Sequence, residues 1–292
     1  MKVSGFTFIR NAIKYDYPII EAVKSILPLC DELIIAVGKS DDNTPELLNS
    51  LNNDKIKIIP TVWNEELRTG GRVLADETNK AIAEISTDSD WAFYIQGDEV
   101  LHEKYLDSVY NAMTKYKNDS RVEGLLFDYK HFYGSYDYVG ESFRWYRKEI
   151  RVIRNDKSIY SHLDAQGFRK GNNEKLKVKH SNACIYHYGW VKHPKFQQAK
   201  QEDFNKLWHD EEWIKQNVKI SDEFDYSDID SLELFDGSHP KVMIDRINRI
   251  NWKFTHDISR KNYSQKEKIK RAVEKFTGLR LGEYKNYILL KD

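Results

Sequence analysis

Apolar positions in the first hundred residues fall into short runs separated by polar, periodic stretches. Val3 to Ile9 and Glu32 to Val37 are such runs, Lys55 to Pro60 is a weaker one, and Trp91 to Ile95 is five apolar residues halted by Gln96-Gly97. Runs of this length, rich in aromatic and β-branched residues and bounded by turn residues, predict strands buried on both faces, as in a parallel sheet. Between them the apolar spacing changes to three and four. Ile19, Ile20, Val23, Ile26 and Leu27 make one helical stripe after Asp16-Tyr17-Pro18. A second helix opens at Thr44-Pro45 with Thr44 as N-cap, and a third covers about Val73 to Ile85. Strand and helix in alternation predict a doubly wound, mostly parallel α/β sheet, whose ligands sit at the carboxyl ends of the strands.

Just past the Trp91 run stand two adjacent carboxylates, Asp98 and Glu99, with no Lys or Arg between Phe93 and Leu101. Acids at the mouth of a sheet suit a hard divalent cation. They equally suit the first turn of a helix, because Val100, Leu101, Tyr105, Leu106, Val109, Met113 and Tyr116 follow at helical spacing. Val122 to Tyr129 predicts a fifth strand, residues 130 to 148 an aromatic and charged loop, and Ala183 to Tyr186 a buried strand that delivers His187. From Pro194 the pattern turns helical, through Phe196, Ala199, Phe204, Leu207, Trp208 and Ile214. After an acidic stretch from Ser221 to Ser238 it is helical again at Val242 to Phe254. The chain therefore divides into an α/β domain, residues 1–193, and a helical C-terminal extension, residues 194–292.

Composition narrows the function. Forty-six basic residues balance forty-six acidic ones, so there is no global field to attract nucleic acid. No apolar run approaches the roughly 20 residues that span a bilayer, and Met1 to Arg10 begins as a strand broken by charges, unlike a signal peptide. A cytoplasmic protein is expected. Arg260 to Lys275 carries seven basic and two acidic residues around Ile269, Val273 and Phe276. Such a helix either caps the fold in solvent or touches the inner face of a membrane and a lipid-linked acceptor. Cys30 and Cys184, far apart in sequence, fit reduced structural thiols. There is no GxGxxG and no GxxxxGK[ST], and His102-Glu103 lacks the second histidine of a zincin, which excludes the leading nicotinamide, P-loop and zincin readings.

The segment Asp90 to Leu101, Asp-Trp-Ala-Phe-Tyr-Ile-Gln-Gly-Asp-Glu-Val-Leu, resembles the Asp-x-Asp-Glu stretch of family 2 glycosyltransferases with the GT-A fold. That resemblance places Asp98 on the aspartate that binds the metal of a nucleotide-sugar complex, and Gln96 where the first aspartate stands. An amide there keeps a hydrogen bond to a ribose hydroxyl and loses the charge. Asp31 to Thr44 is similar to the family's second-strand motif: Asp42 and Thr44 match, while Gly38 falls where an aspartate meets the base. Arg10, Asn11, Arg72 and Asn79 lie where the family has nucleotide-facing residues, and Arg72 is suited to pair with a phosphate. His187-Tyr188-Gly189-Trp190 with Lys192 and Pro194 is similar to the family's His-Tyr-Gly-Trp element, which makes His187 the second metal ligand. Arg151 to Asp164 resembles the segment that ends in His-Glu, with the acid displaced to Asp164.

What the resemblance implies is a metal-dependent glycosyltransferase that uses Mn²⁺ or Mg²⁺, a nucleotide-diphosphate sugar and a glycan or lipid-linked acceptor. Inversion is implied by the family. An inverting transfer needs a carboxylate to take the acceptor's proton. Asp164 is the first candidate, with Glu141 and Asp137 behind it in the aromatic loop, whose rings, if exposed, suit a carbohydrate. Two rivals remain open: an inactive transferase fold kept as a carbohydrate- or nucleotide-binding module, for which Gln96 and Gly38 speak, and a sugar nucleotidyltransferase, against which the missing glycine-rich loop speaks.

Overall fold

The computed structural model describes residues 1–64, 66–67, 69–209, 211–217, 220–277 and 280–291. The chain runs β1 (Val3–Ile9), α1 (Ile19–Ile26), β2 (Glu32–Gly38), α2 (Thr44–Asn49), β3 (Ile56–Thr61), α3 (Arg72–Ala83), β4 (Trp91–Tyr94), β5 (Glu99–Leu101), α4 (Leu106–Tyr116), β6 (Gly124–Tyr133), β7 (Tyr138–Gly140), β8 (Lys148–Arg154), β9 (Ile159–His162), β10 (Gly167–Lys170) and β11 (Glu174–Trp190). It continues with α5 (Pro194–Asn205), α6 (Glu211–Asn217), β12 (Leu232–Leu234), α7 (Ile244–Asn248), α8 (Gln265–Thr277) and β13 (Tyr287–Leu289). The strands form one sheet in the order β3-β2-β1-β4-β8-β6-β11-β10-β9. The pairs β3-β2, β2-β1 and β1-β4 are parallel, β8 is antiparallel to both neighbours, and β6 and β11 are again parallel. The α/β class and the parallel first half read from the apolar runs are what the chain forms.

Alternation along each strand fills two cores. Leu33, Ile35 and Val37 of β2 face α1 and α4 with Trp91 and Phe93 of β4, packing on Ile19, Val23, Ile26, Val109 and Met113. Ile34 and Ala36 face the opposite way with Phe6 and Tyr94, against Val73, Leu74 and Ala81 of α3. Each Val, Leu, Ile or Phe among them, once buried, contributes about 1.5–3 kcal/mol, which is why β2 and β4 read as continuous apolar runs; β1 interrupts its run with Ser4 and Thr7, both buried. Cys30 and Cys184 are buried free thiols.

Three expectations need correction. Glu99 to Leu101 is not the start of a helix: it is β5, antiparallel to β11, with His187 opposite Glu99. Helical spacing misleads there because α4 begins only at Leu106 and both elements bury their apolar residues. The rings of residues 130–148 are not an open acceptor platform. Phe132, Tyr133 and Tyr136 are buried, and Tyr133 meets Tyr226 and Phe254 from the C-terminal tail. The tail is also more than helical. β12 pairs with β7 and β13 with β11, and the Val242 to Phe254 stretch holds the end of a 3-10 turn, Lys241–Met243, and the short α7. Among the described residues no helix is long and apolar enough to cross a membrane.

Candidate active site

β1, β2 and β4 end at one rim of the sheet, and a cavity of about 710 Å³ opens there. Arg10 and Asn11 extend β1 into it, Asp41 follows β2, and Gln96, Gly97 and Asp98 follow β4. The far wall is α5 with the residues after it, including Lys200, Asp203, Phe204 and Trp208. Of the residues singled out in the sequence, the cavity brings together Arg10, Asn11, Gln96, Asp98, Asp164 and His187.

Asp98 and His187 meet because β11 runs back along β5: the Tyr188 N–H donates to the Asp98 carbonyl at 2.8 Å, and His187 Nε2 lies 3.7 Å from Asp98 Oδ1. Glycine is required at 189 for this approach. A Cβ there would stand 2.7 Å from both Asp98 Oδ2 and His187 Nε2. His131, buried one strand away, settles the imidazole's tautomer. Its Nε2 lies 2.7 Å from the Tyr146 carbonyl, an acceptor only, so that nitrogen carries the proton and Nδ1 accepts. His187 Nδ1, 3.1 Å from His131 Nδ1, must then donate, which leaves His187 Nε2 bare. Burial keeps both imidazoles below their ordinary pKa, hence neutral near pH 7.

A carboxylate oxygen and an imidazole lone pair thus face each other with no proton between them. That donor set is chemically suited to a divalent cation, which Asp98 and His187 could hold, with His131 behind to orient the imidazole. Among the described residues no three His, Cys, Asp or Glu side chains form a ligand group for such an ion. Asp98 Oδ2 has a different partner. Lys200 Nζ lies 3.3 Å from it and 3.2 Å from the Gly189 carbonyl, over the rings of Tyr17 and Phe204. Burial pushes the Asp98 carboxyl up, but the Lys200 ammonium beside it more than offsets this and holds it low, at about 2.

Glu99, the neighbouring acid, is not available to a ligand. It is fully buried, accepts two hydrogen bonds from Arg151 at 2.8 and 2.7 Å, and takes a third from the Tyr129 hydroxyl at 2.7 Å. It supports the turn that carries Asp98 by accepting from the Gln96 N–H at 3.1 Å.

Opposite the pair lies Asp164, on the turn between β9 and β10. The residues on either side of it, Leu163 and Ala165, have φ of 52° and 60°. Left-handed backbone at two non-glycine residues costs on the order of 1–3 kcal/mol each and persists where surrounding structure imposes it. Gln96 helps to impose it, because its Nε2 donates to the Ala165 carbonyl at 3.2 Å. Burial raises the Asp164 pKa.

Other candidates lie elsewhere. Asp42 does not line the cavity: it accepts from the Lys14 N–H at 2.7 Å and from both the backbone and the hydroxyl of Thr44, and its neighbour Asp41 is the one on the wall. Asn79 clips α3 to Ser161 of β9 through two hydrogen bonds, and Arg72 is exposed outside the cavity. Glu141 is held by Ser231, Lys261, Tyr263 and Arg271, and Asp137 is exposed and accepts a hydrogen bond from the buried Ser135 hydroxyl; neither lines the cavity.

Trp63 and Lys200 were not singled out from the sequence. Trp63 lies on Gly38, where a Cβ would meet its Nε1 at 2.3 Å, and Arg10 stacks over its ring at 5.4 Å. The departure at Gly38 was the available signal: a missing side chain at a strand end makes room for a neighbour's ring. Asn11 is buried and ties β1 to the loop after β2, accepting from the Asp41 N–H at 2.8 Å.

No family model matches the chain, and no curated protein matches it. Solved structures do. S. aureus TarS aligns with 76% of this chain and 41% of its own, at 14% identity and a TM-score of 0.42. TarS 1–349 in complex with UDP aligns over 76% and 68%, at 14% identity and a TM-score of 0.41. Glucosyl-3-phosphoglycerate synthase from Mycobacterium tuberculosis, in complex with Mn²⁺, UDP and phosphoglyceric acid, aligns over 45% and 43%, at 20% identity and a TM-score of 0.30. The chain thus spans about two fifths of the full TarS chain.

Proposed function

We propose that the chain is a GT-A-type glycosyltransferase that moves a sugar from a nucleotide diphosphate to an acceptor hydroxyl. One observation carries this: the Asp98 carboxylate and the bare Nε2 of His187 face each other at the carboxyl end of a parallel sheet, with Asp164 on the same cavity. Open α/β sheets bind ligands outside the carboxyl ends of the strands, where the strand order reverses. Here that point lies between β1 and β4, because β2 and β3 follow on one side of β1 and β4 on the other.

In this reading Trp63 and Arg10 meet the nucleoside, and Asn11 and Gln96 offer hydrogen bonds to its ribose. A divalent cation, Mn²⁺ or Mg²⁺, held by Asp98 and His187 would supply positive charge to the diphosphate as it departs. The chain's own work is proton removal and positioning. Asp164 takes the proton of the acceptor hydroxyl, whose oxygen forms the bond to the anomeric carbon. The bond from that carbon to the phosphate oxygen breaks, and its electron pair leaves with the nucleoside diphosphate. A single displacement of this kind inverts the anomeric centre. α5 walls one side of the cavity. The exposed Ile269 and Phe276 among the lysines of α8 support a membrane-borne acceptor. Sedimentation with anionic vesicles tests this, and equal binding by an Ile269→Ser/Phe276→Ser variant would sink it.

The reaction is tested by incubating the protein with a panel of nucleotide-diphosphate sugars, with and without Mn²⁺, and following nucleoside diphosphate by chromatography. Release from one donor, stimulated by a hydroxyl acceptor, is the expected result. Binding with no release from any donor would instead support a binding module, and pyrophosphate-dependent release of a nucleoside triphosphate a nucleotidyltransferase.

A further inference from the structure

Lys200 holds the one oxygen of Asp98 that His187 does not face. Its side chain is 12% exposed, and its ammonium spans Asp98 Oδ2 and the Gly189 carbonyl, so it is built into the site. A lysine is an unusual neighbour for a cation's main anionic ligand, because two positive charges then share one carboxylate. The wider cavity does not compensate. Four cationic side chains, Arg10, Lys14, Lys200 and Lys206, line it against four anionic ones, Asp41, Asp98, Asp164 and Asp203. The nearest other carboxylate in sequence, Glu99, is committed to Arg151. A bare divalent ion at Asp98 and His187 would therefore enter a place with no net negative charge, next to an ammonium. A nucleoside diphosphate changes the balance: its phosphates add negative charge that can take both the ion and the Lys200 ammonium.

We propose that Lys200 makes the cation site conditional on the nucleotide: its ammonium cancels the charge of Asp98 when no diphosphate is present, and contacts the diphosphate when the cation arrives with it. The two ligands then bind as a pair. This deepens the glycosyl-transfer reading and rests on it. Because coupling between two ligands is reciprocal, the factor by which the diphosphate tightens the cation equals the factor by which the cation tightens the diphosphate. Replacing Lys200 by a neutral side chain has effects of opposite sign on the two ligands. The cation alone gains affinity for the unneutralised Asp98, and the diphosphate alone loses a cationic partner.

The test is Mn²⁺ binding read by electron paramagnetic resonance and calorimetry. It is run with Mn²⁺ alone, and with Mn²⁺ plus uridine, guanosine, adenosine, cytidine or thymidine diphosphate. In the wild type, one diphosphate is expected to tighten Mn²⁺ by roughly ten- to a hundredfold, within the usual range of site-to-site coupling. In Lys200→Met, Mn²⁺ alone is expected to bind about tenfold more tightly, the diphosphate alone more weakly, and the coupling to shrink. Lys200→Arg, which keeps the charge, should behave as the wild type, and Lys200→Gln replaces Lys200→Met if that variant does not fold. Equal Mn²⁺ affinity with and without diphosphate in a wild type that binds diphosphate would overturn the proposal and leave the transferase reading standing. So would a Lys200→Met variant whose Mn²⁺ and diphosphate affinities match the wild type. If no diphosphate binds under any condition, the transferase reading fails, and the proposal with it.

Discussion

His131 Nδ1 lies 3.1 Å from His187 Nδ1, and this contact decides which nitrogen of His187 faces Asp98. Were His131 replaced by a ring that cannot accept, the His187 Nδ1 proton would lose its partner and the imidazole could turn or change tautomer. Loss of such an orienting group costs roughly 10–100-fold in metal affinity. His131→Phe is expected to weaken Mn²⁺ by that factor in the presence of nucleoside diphosphate, as read by calorimetry. Unchanged affinity in a folded variant would mean that the tautomer is not set by His131.

Asp164→Asn should keep the donor and lose the reaction. Removal of a general base costs about 10²–10⁴-fold in kcat, while nucleotide-sugar affinity should stay within about twofold, since Asp164 is assigned to the acceptor side. The acid limb of the kcat–pH profile gives a second reading. Burial raises the Asp164 pKa, and the base works only when ionised, so activity should fall as pH drops through a value above the ordinary carboxylate range. An acid limb at an ordinary carboxylate pKa, or a variant with wild-type kcat, would move the role to another group.

The sequence made much of this framework legible, and for a plain reason. β2 and β4 are covered on both faces, so their apolar runs are unbroken, and the turn after each run marks the rim on which the cavity opens. Asp98 and His187 were singled out because each follows such a run in a motif of specific spacing. Lys200 and His131 were not. Lys200 lies on α5 among the polar residues Gln197, Gln198, Gln201 and Glu202, and its partner Asp98 is 102 residues away. His131 sits among aromatic residues whose burial depends on the tail folding over them. Glu99 illustrates the opposite failure: an acid in the right motif is buried by Arg151, and only tertiary contacts reveal it.

That Glu99–Arg151 pair is fully buried on both sides, so each partner depends on the other. Arg151→Met leaves an uncompensated carboxylate in the core and should cost about 3–5 kcal/mol, read as a lower urea midpoint. The double variant Glu99→Gln/Arg151→Met is expected to recover part of this loss. A single variant as stable as the wild type would show that Glu99 finds another partner or protonates without cost.

Glu149 gives the fold a pH dependence of its own. It lies buried between Gln166 and Asn286, whose side-chain amides donate to it at 2.9 and 2.7 Å. Burial pushes its pKa to about 7 against the pull of Arg151. The folded state therefore holds a proton that the unfolded chain has released, from the ordinary glutamate value up to about 7. Across that window stability should fall as pH rises, by at most about 1.4 kcal/mol per pH unit for one proton. Glu149→Gln should flatten that slope in urea melts at a series of pH values, and a slope unchanged by the substitution would place the proton elsewhere.

Mn²⁺ scatters anomalously, so a crystal of the protein grown with Mn²⁺ and the donor found in the turnover panel tests the central assignment most directly. The account predicts an anomalous peak at coordination distance from both Asp98 Oδ1 and His187 Nε2, with the diphosphate against it and Asp164 on the open side of the anomeric carbon. A donor bound in the cavity with its diphosphate and metal away from Asp98 and His187 would contradict it.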